Sequence, residues 1–138
     1  MAKYFFDHEK LKVYQKAIEF VNWSTILQDK IKLKDPIIDQ LKRASYSIPL
    51  NISEGNGRFS SKDRCHFFDI AKGSALESSS CLDIIKVKKL TDTVDIAVCK
   101  KLLSEIVSML VGLIKSNSNR VYELEQNYSI ETTRDLED

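Results

Sequence analysis

Residues 35–57 read DPIIDQLKRASYSIPLNISEGNG, and both ends of this stretch carry the marks of a helix boundary. Asp35 is a residue type that caps helix N-termini, and Pro36 suits the first helical position, where a missing N–H costs nothing. Ile37, Leu41, Ala44, Ile48 and Ile52 then recur at spacings of three and four, which puts them on one face. Pro49 removes a backbone donor and disfavours helical geometry at Ile48. Because the apolar spacing carries on to Ile52, a kink is expected there and not an end. Gly55-Asn56-Gly57 closes the segment, since glycine enters the left-handed conformation that ends helices. An amphipathic helix of this kind must bury its face against partners with matching stripes.

The flanking sequence supplies them. Upstream, residues 8–29 carry Leu11, Tyr14, Ile18, Val21 and Thr25 at helical spacing, widened by Phe20, Trp23, Ile26 and Leu27. Downstream, Ser60 or Ser61 suits the cap of a third helix, with Asp63 in its first turn. Its face is Phe68, Ala71, Ala75, Ser78, Leu82 and Ile85, ending near Lys89. The middle of that helix is rich in small residues, among them Gly73, Ser74, Ser79 and Ser80, which let a neighbour approach closely. A fourth helix follows Thr91, with Asp92 and Asp95 at its positive end, and presents Ile96, Cys99, Leu103, Ile106, Leu110 and Leu113 up to about Ser116. Val98, Leu102, Val107, Met109 and Ile114 lie beside this stripe. Either the bundle wraps this helix deeply, or part of its surface meets another subunit. Four such helices with short connections predict an all-α protein, an antiparallel up-down-up-down four-helix bundle over residues 1–116.

Composition agrees. The 138 residues are 43% hydrophobic and 30% charged, enough for one domain with a real core, and only four Gly and two Pro interrupt it. The formal charge of +1 is unevenly spread: residues 117–138 hold two basic and six acidic side chains. This acidic, apolar-poor stretch is expected to be a separate, flexible C-terminal tail. No run of apolar residues is long enough to span a membrane, and the N-terminus lacks the pattern of a signal peptide, so a cytoplasmic protein is expected. Cys65, Cys81 and Cys99 include no CxxC pair; Cys65 and Cys81 on one helix stand about 24 Å apart, too far to be bridged. They read as reduced thiols used as small apolar residues.

Several separated motifs together resemble one family. The central stretch at 40–58, QLKRASYSIPLNISEGNGR, resembles the signature segment of the 23S rRNA intervening-sequence proteins. LKVYQKA at 11–17 is similar to the family's opening motif, with Tyr14 where Trp is usual. FFDIAKGS at 67–74, followed by Glu77, and LVGLIK at 110–115 are similar to its third and closing helices. The resemblance covers residues 5–116. It implies a four-helix bundle that assembles as a ring, often a pentamer, with no catalytic activity. It also implies a structural kinship with an accessory factor that binds nucleic acid beside a reverse transcriptase.

The residues offer little chemistry. His8 and His66 fall on different helices, and the sequence holds no H-x-x-x-H, no C-x-x-C, no G-x-S-x-G and no P-loop. A metal site, a cofactor and an enzyme are therefore not expected. Asn51, Glu54 and Arg58 form a polar group at the corner between the second and third helices. It is either a contact site, or a structural corner in which Glu54 pairs with Arg58 and Asn51 satisfies backbone freed by Pro49. Lys30, Lys32 and Lys34 follow the first helix, and Lys86, Lys88 and Lys89 close the third. In an up-down bundle both sets reach one pole, where Asp29, Asp35, Asp92 and Asp95 offset part of the charge. The lysines are either a contact surface for RNA or DNA, or residues placed to suit helix dipoles. Two functions follow: a homo-oligomer that binds nucleic acid, or a scaffold for a protein partner without such binding.

Overall fold

Asp35 adopts extended backbone and its carboxylate accepts the Ile37 N–H at 3.0 Å, so helix α2 starts on the cap its sequence offers. Ser60 does the same for α3 by accepting the Asp63 N–H at 3.1 Å, and Asp92 accepts the Val94 N–H ahead of α4. The computed structural model describes the backbone of residues 3–137 and the side chains of residues 3–118. Within those limits the chain is four helices and no strands: α1 (Lys12–Asp29), α2 (Pro36–Asn56), α3 (Ser61–Val87) and α4 (Thr93–Glu137), preceded by one 3-10 turn at Asp7–Lys10.

Side-chain bonds establish the directions. Lys30 at the end of α1 meets Asp95 at the start of α4, and Lys88 just past α3 meets Asp35 at the start of α2. At the other end, Asp7 accepts from Asn56 at the end of α2, and Arg64 at the start of α3 donates to Asn117 of α4. Each helix therefore runs antiparallel to its two neighbours. α1 packs on α2 and α4, α3 packs on α2 and α4, and the diagonal pairs do not meet among the described residues. Phe20, Phe68, Leu41, Ile48, Ile52, Leu82, Ile85, Ile106 and Leu110 are fully buried along the common axis.

Four expectations need correction. The first helix does not begin at residue 8: Leu11 has an extended backbone that separates the 3-10 turn from α1. Its inward stripe is Val13, Ala17, Phe20, Ser24 and Leu27: Phe20 and Leu27 are buried as expected and Leu11, Tyr14 and Trp23 pack partly on the core, but Ile18 and Thr25 are exposed. The expected and observed stripes share one spacing, and the buried one carries the small residues Ala17 and Ser24, which let a neighbouring helix approach closely. The corner after α2 holds no left-handed glycine either, since Gly57 caps the helix at φ −81°. Finally, α4 does not stop near Ser116 but runs on as helix to Glu137. Asn117, the first residue of the expected tail, is buried, donates to the Leu113 carbonyl at 2.8 Å and accepts from Arg64. The flexibility expected of the tail concerns side chains that, from residue 119, lie outside the described residues.

The apolar surplus of α4 is absorbed. Leu102 is buried, and Val98, Val107, Met109 and Ile114 are partly buried against the core. The exposed large aliphatics stand mainly on other helices, including Ile70, Leu76, Ile84 and Val87 on the outer side of α3 and Leu50 on α2.

Candidate functional site

The antiparallel order brings both lysine runs to one end of the bundle. Lys30 donates to Asp95 at 2.5 Å, and Asp95 is itself buried, so this pair ties α1 to α4. The bond to Asp95 holds the Lys30 ammonium above the usual lysine range. Lys88 is bound to Asp35, and that bond, helped by the Ile37 N–H, holds the Asp35 carboxyl below the usual carboxylate range. Two of the six lysines are thus structural ties across helix pairs. Lys32, Lys34, Lys86 and Lys89 are exposed and make no ion pair among the described residues.

Lys89 has a second role. Its φ of 54° places it in the left-handed region, the one non-glycine residue among those described to do so. The N–H of Lys89 donates to the Lys86 carbonyl and that of Leu90 to the Ile85 carbonyl, at 3.1 and 3.2 Å. This pair of bonds is the Schellman closure, usually made with glycine, and it turns the chain from α3 into α4. A shallow groove of about 440 Å³ opens beside this pole, lined by Lys34, Asp35, Pro36, Ile38 and Asp39.

The polar corner at Asn51, Glu54 and Arg58 departs in part from expectation. Glu54 and Arg58 do pair, at 2.9 Å, and the Arg58 guanidinium also stacks 4.6 Å over the Phe67 ring. Asn51 does not serve the Ser45 carbonyl, the one that Pro49 leaves without its helical donor. Its amide donates to the Ser47 carbonyl at 2.7 Å and lies 2.9 Å from the Ser47 hydroxyl, which is 2.7 Å from Ser74 of α3. Asn51 thus reaches Ser74 of α3 through Ser47, while Glu54 and Arg58 pair on the exposed surface beside Phe67.

The sequence reading missed the opposite end of the bundle. There Tyr4, Phe5, Phe6 and Phe59 are exposed, and Phe59, in the turn between α2 and α3, is wholly so. A signal was available: Tyr4-Phe5-Phe6 and Phe59 belong to no helical stripe, yet are large and apolar. Among the described residues no three His, Cys, Asp or Glu side chains gather as a metal site. The three cysteines are free; burial raises the Cys81 thiol and pushes Cys99 up to about 11, so neither is a ready nucleophile.

No helix among the described residues is long and apolar enough to cross a membrane. No curated protein matches the chain. Its structure is similar to that of a protein of unknown function from the S23 ribosomal protein family of Bacteroides thetaiotaomicron VPI-5482. The TM-score is 0.71, covering 75% of this chain and 98% of the other, and at 23% identity the likeness speaks for the fold. Residues 9–112 match the family described as 23S rRNA-intervening sequence protein. That span reaches into all four helices and takes in well over half of the chain, which therefore belongs to the 23S rRNA-intervening sequence protein family.

Proposed function

We propose that this protein is a non-catalytic, cytoplasmic homo-oligomer that binds RNA or DNA through phosphate contacts at its lysine pole. The supporting observation is the division of labour among the six lysines: Lys30 and Lys88 are held by Asp95 and Asp35, while Lys32, Lys34, Lys86 and Lys89 are exposed to solvent. One such pole on a chain of net charge +1 binds a polyanion weakly. Several copies on one assembly contact it together and gain avidity. Five copies is the number that the family resemblance implies. The exposed aliphatics on the outer side of α3, with Leu50 on α2, are the surface best suited to self-association, since α4 spends its surplus inside the bundle.

The test is a mobility assay on RNA and DNA across a salt series. Changing Lys32, Lys34, Lys86 and Lys89 to glutamate, with Lys30 and Lys88 kept, leaves both structural ties in place. Binding is expected to weaken at least about tenfold, with the log–log salt slope flattening by about 0.7 for each single-strand phosphate no longer neutralised. Helicity and subunit count stay unchanged. Unaltered affinity in this folded variant removes the pole as a contact surface. No binding by the wild type at low salt favours the second reading, a protein-interaction scaffold docking through the outer face of α3. A monomer by light scattering at micromolar concentration removes the oligomer.

A further inference from the structure

We propose that the end of the bundle opposite the lysine pole is a second contact surface, one that stacks unpaired nucleic-acid bases on exposed aromatic rings. The proposal rests on nucleic-acid binding as the function and adds to it a preference for single strands. Its first support is that the fold holds these rings out on a fixed frame. Phe5, Phe6 and Phe59 have relative exposures of 80%, 65% and 104%. Yet the backbone beneath them is pinned. The Phe5 N–H donates to the Glu9 carboxylate at 3.0 Å. Gln15 donates to the Glu9 carbonyl at 2.9 Å and to the Tyr4 hydroxyl at 3.2 Å. Asp7, next to Phe6, accepts from Asn56 at 3.0 Å, which fastens the N-terminal segment to the α2–α3 turn that displays Phe59. The Phe6 ring already stacks on His8, 5.8 Å between centroids and 11° from parallel. A backbone fixed in advance loses little conformational freedom when the rings it carries meet a flat partner.

The second support is charge. Among the described residues of this end, the carboxylates of Glu9, Asp7 and Glu54 accept from Phe5, Asn56 and Arg58, while Asp63 is exposed and forms no ion pair. Lys3, Lys10, Lys12 and Lys62 are exposed and form no ion pair among the described residues. Unpaired ammonium groups around exposed aromatic faces match a polyanion with π-faces, which is a single-stranded nucleic acid. An anionic bilayer fits less well. Insertion would carry the Asp7–Asn56 pair and the Glu9 carboxylate, which lie among the rings, toward the acyl boundary. The lysine pole carries exposed Leu33, Val87 and Val94 but no exposed aromatic ring, so it offers phosphate contact without stacking.

The test uses the full chain and fluorescence anisotropy with a labelled oligo(U) of about 20 nucleotides and a duplex of equal length, a span that exceeds the site size of typical single-strand binders. The variant carries Phe5→Ala, Phe6→Ala and Phe59→Ala; a companion carries tryptophan at the same three positions. The alanine variant is expected to bind oligo(U) at least about tenfold more weakly, with duplex affinity within about twofold of wild type, and tryptophan to restore the loss. Unchanged oligo(U) affinity, or an equal loss on both probes, overturns the proposal while leaving the lysine pole standing. Failure of the wild type to bind either probe at low salt overturns both. Uptake of wild type by phosphatidylserine vesicles, abolished by the alanine changes with oligo(U) binding intact, assigns the surface to membranes and overturns it. So does conversion of the oligomer to monomers by those changes, which would assign the rings to self-association.

Discussion

Gly55 shows how a residue can be legible in the sequence and its reason not. Its place in Gly55-Asn56-Gly57 suggests a turn needing left-handed backbone, but it lies inside α2 with ordinary helical geometry. What it supplies is room. A Cβ there would sit 2.8 Å from the Phe67 Cβ and 3.1 Å from a ring carbon of the fully buried Phe68. Neither can retreat, because both belong to the helix packed against it. Gly55→Ala is therefore expected to destabilise the fold by about 1–3 kcal/mol despite alanine's better helix propensity, and urea denaturation would measure it. Lys89 is the converse, a residue with no glycine to advertise its backbone. Its left-handed φ costs on the order of 1 kcal/mol, so Lys89→Gly is expected to raise the urea midpoint by an amount worth somewhat less than that. A lowered midpoint would mean that the Schellman closure depends on the lysine side chain.

At the scale of elements, caps are plain in the sequence and faces are not. Asp35 caps as its position suggests, and Ser60 is the one of the Ser60–Ser61 pair that caps α3, because capping is local and needs only a side-chain oxygen near the first free N–H groups. The face of α1 is ambiguous because Ile18 and Val13 both satisfy helical spacing, and only the neighbours decide which of the two is covered. Asp35 links the two levels, capping α2 and binding Lys88 beyond the end of α3. Its carboxyl is held below the usual range, chiefly by Lys88 and then by the Ile37 N–H. A depressed folded value means the unfolded chain binds the proton more readily. The stabilisation is therefore present above about pH 4, the unfolded value, and is lost as pH falls through the folded one. Asp35→Asn keeps the cap and removes the charge. Denaturation at a series of pH values is expected to show a shallower acid-side decline for this variant than for wild type. Identical slopes would mean the pair contributes nothing measurable.

For the whole molecule, Asn117 accepts from Arg64 and so ties α4 to the start of α3 just beyond the last apolar stripe. Removing residues 119–138 is expected to change stability by less than about 1 kcal/mol, a few degrees in Tm for a chain of this size. A larger drop would put the remainder of α4 inside the cooperative unit. The sequence by itself determined the number of helices, the Asp35 cap of α2, the Ser60–Ser61 pair that holds the cap of α3, the central stripes of α2 and α3, and the family. Helical periodicity and capping are local, and motif order survives without any knowledge of packing. Only the tertiary structure decided which lysines are ties and which are free, which face of α1 is buried, and that Gly55 makes room for Phe67 and Phe68. It alone showed that Tyr4, Phe5, Phe6 and Phe59 share one end of the molecule. Each of those facts depends on a neighbour from a different helix or segment, and no spacing along a single segment records it.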